Sequence, residues 1–579
     1  MTGVLGDRHR VWTNDSIADQ CAPHLPGWRL NAATWALGVV SVLAYAPFFV
    51  WPVLFATLPA WLNLTRIAEQ RSPSLARFAP WRRSAVGRAA AIGWWFGFGH
   101  CMAGLFWVGE AFLVEPEVFG WLLPFAVTLL PGGLALFYAA AMAGAALLTP
   151  RAHLGVQRVA ALAVTLSVTE WLRGHIFTGF PWNVLGYALT YPLPLMQSAS
   201  LFGIYGLTLI TVLICALPGM LYLGRGDIKP DSTWQHVWRH AWWIAAVLPL
   251  AMLWAYGHMR LNASLPAMNS PAPKIRIVQP SVPQNEKWRP ENQRRIFDDH
   301  LALSRQTTGW PASGGVDDDA AGIALIVWPE AAMPFFPLNQ PIALSDIGRM
   351  LTAETTLVSG ALRAGPSPSP AERGPVYNSL IAFGSGESAR VIAAYDKIHL
   401  VPFGEYLPLQ RLLEAIGLQQ LSKLQGGFAA GIAPRPLLDI PHVGKLGPLV
   451  CYEVLFPGTI VQGQERPRAL VNVTNDGWFG NTTGPRQHLQ MTRVRAVEEG
   501  LPIIRAANNG ISAMIDANGR ITARIDLNVR GSIDAVLPPA LAPPPYARFG
   551  DAIWLAMLTM IVAGVLANRL SGRRGAGGP

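Results

Sequence analysis

Apolar residues dominate the first half of the chain in long stretches broken by short polar ones. A helix needs about 20 mostly apolar residues to cross a bilayer. The segments that approach this are Asn31 to Leu64, Ala89 to Val108, Phe119 to Leu148, Val159 to Leu172, Leu201 to Leu223, Ala241 to Tyr256 and, near the C-terminus, Ile553 to Ala567. The first is long enough for two short spans and carries Pro47 and Pro52, where a helix breaks. The pattern predicts eight transmembrane helices, about seven in a domain over 31–261 and one over 552–570, preceded by a polar segment over 1–30.

From Lys274 the pattern changes. Short β-branched runs, KIRIVQPSV, IALIVWPE, TLVSGAL, NSLIAFG, GPLVCYEVLF, RALVNVTND and ISAMIDANGRI, alternate with helical stretches at Glu291 to Gln306 and Gln487 to Glu499. This alternation predicts a layered α/β domain over 274–537. Pro- and Ala-rich segments at 264–273 and 538–546 read as linkers to the membrane part.

Composition sharpens the division. Of 579 residues, 51% are hydrophobic and only 14% charged, against about 25% charged in ordinary soluble domains. Charge is sparse up to about Leu261 and ordinary from Lys274 to Leu537. The net charge of +10 does not point to nucleic acid, because the arginines cluster in short segments between apolar stretches. Membrane topology explains them better, since Lys and Arg are retained on the cytoplasmic side. The strongest such loop holds Arg66, Arg71, Arg77, Arg82, Arg83 and Arg88. Alternating from there puts Arg151 and Arg158, then Arg225, Lys229 and Arg239, then Arg569, Arg573 and Arg574 on the same side, together with the 1–30 segment. The acidic loop with Glu110, Glu115 and Glu117 falls outside, and so does the α/β domain. The first thirty residues lack a continuous apolar core, so no cleavable signal peptide is expected. The four cysteines, at 21, 101, 215 and 451, lack metal-ligand spacing; Cys101 and Cys215 lie in apolar runs and read as packing residues.

Three strand ends present a reactive group directly after an apolar run: Glu330 after IVWP, Lys397 after VIAAYD and Cys451 after GPLV. Taken singly, such a cysteine is usually a core residue, such a glutamate a cap and such a lysine solvated. Together at strand ends, where the backbone is fixed, they would make an acyl-transfer site with nucleophile, base and cation for the oxyanion. WPE at 328–330, YDKIHLVPFGEYLP at 395–408 and CYE at 451–453 resemble the Glu-Lys-Cys signature of the nitrilase superfamily. The longer strings NDGWFGNTTGPRQHLQM at 475–491, RAVEEGLPIIRAANNGISA at 495–513 and EWLRGHIFTGFPWNVLGY at 170–187 are similar to its membrane-bound branch, apolipoprotein N-acyltransferase. The last string lies in the membrane part, where a soluble nitrilase has no counterpart.

This resemblance implies a nitrilase-like αββα sandwich facing the periplasm from a bacterial inner membrane. It implies that Cys451 takes an acyl chain from a phospholipid as a thioester, and that the acceptor is the α-amino group of a diacylglyceryl-cysteine at a lipoprotein N-terminus. Glu330 would serve as general base, and Lys397 would stabilise the oxyanion and favour the thiolate. Glu405, Tyr452 and Glu453 would support these three, and Trp288, Asn378, Trp478 and Phe479 would line the acyl or headgroup site. No cofactor or metal is expected, and no nucleic acid; the partners are the lipid bilayer and the two lipid substrates, with the enzyme acting as a monomer. The apolar stretch with Leu400, Val401, Phe403, Leu407, Leu409, Leu412 and Leu413 reads either as a lid dipping into lipid or as an ordinary amphipathic helix. Two other readings compete: a membrane-tethered nitrilase or amidase acting on a small C–N substrate, and a transporter or scaffold with a non-catalytic external domain. The latter predicts charged or broken helices at mid-membrane, and the interior acids Glu110 and Glu170 are few and near predicted helix ends.

Overall fold

The computed structural model describes residues 27–70, 84–149, 155–223, 233–263, 272–306, 322–367, 374–415, 420–422, 427–463 and 465–575, with backbone alone at 220–223, 233–243, 245 and 568–575. Most of the 1–30 segment, Cys21, and the loop cations Arg71, Arg77, Arg82, Arg83, Arg151, Arg225 and Lys229 lie outside the described residues.

Every apolar segment carries a helix. In chain order these are α1 (Gly27–Ser41), α2 (Leu54–Gln70), α3 (Ala85–Gly104), α4 (Leu123–Leu148), α5 (Val156–His175), α6 (Ala199–Leu223) and α7 (Thr233–Asn262), with a last helix at Ala552–Gly575. The first segment does divide, between α1 and α2, and short 3₁₀ turns and Pro47 and Pro52 fill the gap. Length and apolarity sufficient to cross a bilayer hold, among the described residues, for Pro116–Leu148 and Ala199–Gly219. A third crossing is added if Ala85–Gly104 and Phe106–Leu113, bent by 57°, form one span.

The 274–537 region forms two six-stranded sheets. Its strands are β1 (Lys274–Gln279), β2 (Ile323–Trp328), β3 (Thr356–Ala364), β4 (Val376–Gly384), β5 (Arg390–Asp396), β6 (Leu438–Ile440), β7 (Gly444–Val450), β8 (Ala469–Thr474), β9 (Ile503–Ala507), β10 (Ser512–Ile515), β11 (Ile521–Ile525) and β12 (Gly531–Val536). One sheet runs β12-β1-β2-β3-β4-β5 and the other β11-β10-β9-β8-β7-β6. Strands β1, β2 and β3 are mutually parallel, as are β7, β8 and β9. Strands β6, β9 and β12 and the helix Pro341–Met350 were not marked out by the apolar pattern.

The period-2 alternation of side chains decides what each face meets. Ile275, Ile277, Leu325 and Val327 from one sheet pack against Leu446, Val450, Val471 and Val473 from the other. The opposite parity of the first sheet, Ile326, Trp328, Ile381 and Phe383, packs beneath helices Gln293–Arg305 and Pro341–Met350. On the second sheet, Leu470, Ile503 and Ile515 meet Met491, Val494 and Val497 of helix Gly484–Glu499. Strands covered on both faces read as continuous apolar runs, which is how β2 and β8 were visible in the sequence. The layers are therefore αββα. The core of the last layer is continuous with the membrane helices, since Trp182, Leu185, Leu195 and Met196 belong to the same buried cluster. Polar contacts cross that seam: Trp182 Nε1 donates to Gln487 Oε1 at 2.7 Å, Gln490 Nε2 to the Thr190 carbonyl at 2.9 Å, and Gln197 Nε2 to the Asn518 carbonyl at 2.9 Å.

Candidate active site

Three strands deliver the three groups singled out in the sequence. Glu330 follows β2 by two residues, Lys397 is the first residue after β5, and Cys451 is the first after β7, opening a 3₁₀ turn Cys451–Leu455. Glu330 and Lys397 come from one sheet and Cys451 from the other, so the site lies at the seam between the sheets. Two of the turns are strained. Ala331 has φ 45° and Cys451 has φ 50°, a left-handed conformation that costs a residue with a side chain about 1–3 kcal/mol and persists only where the surroundings impose it.

Lys397 Nζ contacts Glu405 Oε2 at 2.9 Å and Glu330 Oε1 at 3.9 Å. Asn378 Nδ2 donates to both Glu330 Oε1 and Glu405 Oε1 at 2.8 Å, so one amide ties the two carboxylates together. All four side chains are buried. Their charges do not cancel, because one lysine faces two acids. Burial and the Glu405 charge raise the Glu330 carboxyl above its ordinary range, against the pull of Lys397. Burial alone would lower Lys397, but Glu405 and Glu330 overcome it and push the ammonium up, so it stays charged.

Cys451 is buried, and its thiol interacts with Glu330, Lys397 and the side chain of Thr474. Burial and Glu330 raise the thiol far above its ordinary range, while Lys397 and Thr474 act the other way. The lysine's preference for thiolate is thus present but outweighed. The resting thiol keeps its proton.

Glu453, with no exposed surface on its side chain, links the Cys451 turn to the Lys397 turn. It accepts from Val450 N at 2.8 Å, Ile398 N at 3.0 Å, His399 N at 3.2 Å, Tyr395 Oη at 2.5 Å and Arg435 Nη2 at 3.2 Å. Burial opposes its charge, yet Arg435 and these donors hold its carboxyl below the usual range. Tyr452 is buried and donates from Oη to the Gly179 carbonyl at 2.7 Å, in the membrane-part string that includes FTGFPW. His399 Nε2 meets the neighbouring Thr178 carbonyl.

The expected lining residues are dispersed. Asn378 is in the centre. Trp288 is 43% exposed at the end of the short helix Gln284–Lys287. Trp478 and Phe479 share the turn Asp476–Phe479, and Phe479 packs on Trp107 and Trp182, at ring-centroid distances of 4.5 and 5.7 Å. The apolar stretch after Lys397 is mixed: Leu400 and Leu407 are buried, whereas Phe403, Leu409 and Leu412 are exposed. Sequence reasoning missed Lys287, whose buried Nζ donates to the Glu330 carbonyl at 2.9 Å. It also missed Arg435, which stands in a Pro-flanked coil with no pattern to mark it. No group of three or more His, Cys, Asp or Glu able to hold a metal occurs among the described residues.

Comparison with known proteins agrees with this division. Residues 274–542 match the carbon-nitrogen hydrolase family model, and residues 37–217 match that of the apolipoprotein N-acyltransferase N-terminal domain. The chain is 43% identical over 543 residues to the apolipoprotein N-acyltransferase of Rhodopseudomonas palustris, covering 93% of this chain and 95% of that one. It is 42% identical over 547 residues to that of Bradyrhizobium diazoefficiens, covering 94% and 96%, and 38% identical over 534 residues to that of Sinorhizobium medicae, covering 91% and 93%. With both domain models met in order and such identity over nearly the whole of each sequence, the chain belongs to the apolipoprotein N-acyltransferase family.

Proposed function

We propose that the chain transfers an acyl group from a phospholipid to the free α-amino group of a diacylglyceryl-cysteine at a lipoprotein N-terminus, with Cys451 as the carrier. The observation that carries the reading is the buried group of Glu330, Lys397 and Cys451, brought together from two sheets in a domain whose core continues into apolar helices.

In the first half-reaction Glu330 takes the thiol proton as Sγ attacks the ester carbonyl, and Lys397 stabilises the oxyanion. Collapse forms the thioester and releases the lysophospholipid alkoxide, which takes the proton back from Glu330. In the second, the acceptor amine attacks the thioester, Glu330 accepts an amine proton, and the amide forms as the thiolate leaves and is reprotonated. A positioned general base typically contributes about 10² to 10⁴ in rate. Glu405 holds Lys397, Glu453 and Tyr452 hold the nucleophile turn, and Trp288, Trp478 and Phe479 line the lipid site beside Asn378.

The membrane assignment follows the charge pattern. Residues 31–261 contribute seven crossings and 552–570 an eighth, the 1–30 segment is cytoplasmic, and the 274–537 catalytic domain faces the periplasm from the inner membrane. The chain acts as a monomer. Two lipid-anchored substrates diffusing in the outer leaflet meet such a tethered site more often than a soluble one.

The test is to incubate the purified protein with phospholipid radiolabelled in its acyl chains and a diacylated lipopeptide. Label is expected on Cys451 and then on the lipopeptide amine, and Cys451→Ala should abolish both. Transfer retained by that variant would overturn the mechanism, and label released only as free fatty acid would indicate a hydrolase.

A further inference from the structure

Around the Cys451 turn lies a polar network for which the chemistry above has no use. Asn472, Thr474, Asp476, His488 and Arg505 are each 0% exposed. They come from β8, the turn after it, helix Gly484–Glu499 and β9. Arg505 Nη2 donates to Asp476 Oδ2 at 2.7 Å, and its Nη1 donates to Asn472 Oδ1. The other oxygen of Asp476 receives Thr474 Oγ1 at 3.0 Å and lies 2.9 Å from His488 Nδ1. From this network one side chain reaches the nucleophile's own backbone: Asn472 Nδ2 lies 3.5 Å from both the Leu449 and Cys451 carbonyls, and Arg505 Nη1 holds its Oδ1.

Such a network is a poor device for stability. Taking a carboxylate and a guanidinium out of water costs several kcal/mol per ion, and well-packed apolar residues of similar volume often do as well or better. Nor does it act on the thiol in one direction, because the Asp476 charge raises it while Thr474 lowers it. What it touches is the residue held at φ 50°, a conformation that survives only when neighbours impose it. Arg505 and His488 hold the Asp476 carboxyl down at about 2, so it is ionised at neutral pH despite its burial. His488 Nδ1 is then the donor to it. Burial and Arg505 hold the imidazole pKa down, so the ring is neutral. The rings of Trp182 and Phe479 cover it, at centroid distances of 5.7 and 6.1 Å.

We propose that Asp476 and Arg505 are positioning residues that, through Asn472, fix the Cys451 turn so that the thiol faces Glu330 and Lys397. The proposal rests on the reading of Cys451 as the nucleophile. It makes a separable prediction, because positioning and ionisation respond oppositely when Asp476 loses its charge.

The experiment uses the full chain in detergent and the variants Asn472→Ser and Asp476→Asn. Two quantities are measured: the single-turnover rate of Cys451 acylation from labelled phospholipid, and the pH dependence of Cys451 alkylation by iodoacetamide. Both variants should acylate about 10²-fold more slowly, the penalty of misplacing a reacting group by about 1 Å, with the phospholipid concentration at half-saturation unchanged. The alkylation midpoint of Asp476→Asn should move to lower pH, since the thiol loses an opposing charge. Acylation at the unaltered rate, or slowing that merely tracks a rise in that midpoint, would overturn the positioning role. If Asp476→Asn fails to fold, the charge-neutral Asn472→Ser decides by its acylation rate at unchanged midpoint. Absence of acyl-Cys451 in the unaltered protein would sink the nucleophile reading itself, which keeps the two failures apart.

Discussion

In the proposed mechanism one proton passes between Cys451 and Glu330, and the neighbours of Glu330 set the pH at which it can be taken up. Because Glu405 raises the Glu330 carboxyl and Lys397 lowers it, each partner can be removed and the sign read. A raised carboxyl is a base only above its own pKa, so kcat/KM should rise with pH along an acid limb set by Glu330. In Glu405→Gln the limb should move to lower pH even as the plateau falls; in Lys397→Met it should move to higher pH, with kcat down about 10² to 10³ through loss of the oxyanion partner. Limbs that stay put in both variants would remove Glu330 from the role of base. Glu453 gives a stability counterpart. Replacing it by Gln leaves Arg435 buried without its carboxylate, a change that costs about 3–5 kcal/mol when one partner of a buried pair is lost. Thermal melts in detergent at fixed pH should show it, and a shift of less than about 1 kcal/mol would place Arg435 in better contact with solvent than its surroundings suggest.

At the scale of elements, the site depends on how closely β2 and β3 approach. Gly360, on β3, lies against the Glu330 turn: a Cβ there would stand 2.5 Å from Glu330 Cα and 2.6 Å from the Pro329 carbonyl. These are backbone atoms, so Gly360→Ala must push the Glu330 turn outward. Overpacking of this kind costs about 1–3 kcal/mol, and because the displaced atoms carry the base, activity should fall by more than the melting shift alone implies. An alanine variant with full turnover would show that the turn tolerates the displacement. The Glu330 turn is also gripped from the other side by Lys287. The Lys397 turn and the Cys451 turn are joined by Glu453, and they touch the membrane-part carbonyls of Thr178 and Gly179.

Across the whole molecule, the catalytic layers are not a domain merely tethered to a bundle. Helix Gly484–Glu499 packs into the same buried cluster as α5 and α6, and Arg495 Nη2 donates to Tyr187 Oη at 3.1 Å across the seam. Residues 274–537 expressed alone would expose that face, so the fragment should aggregate, and a monodisperse, active fragment would argue against a shared core. Orientation is tested separately. An alkaline phosphatase fusion near Ser281 should be active and one in the Arg66 to Arg88 loop inactive; the reverse pattern would invert the topology.

The strand ends, the apolar helices and the meeting of Glu330, Lys397 and Cys451 could be read from the sequence, because each rests on local signals: apolar runs long enough to form helices or to be buried on both faces, and polar side chains at fixed offsets. Asp476, His488 and Arg505 were visible only as parts of similar strings with no role, since 29 residues separate Asp476 from the Arg505 that pairs with it. Lys287 and Arg435 were invisible for the same reason, being single cations whose partners lie far away in the chain. The protonation of Cys451 was also beyond sequence. An adjacent lysine suggests a thiolate, and only the packing of two sheets around the sulfur lets burial and Glu330 outweigh it. Local pattern determined which elements form and which polar side chains stand at their ends; tertiary structure decided their charge states and positioning, because desolvation and pairing depend on neighbours that only folding brings together.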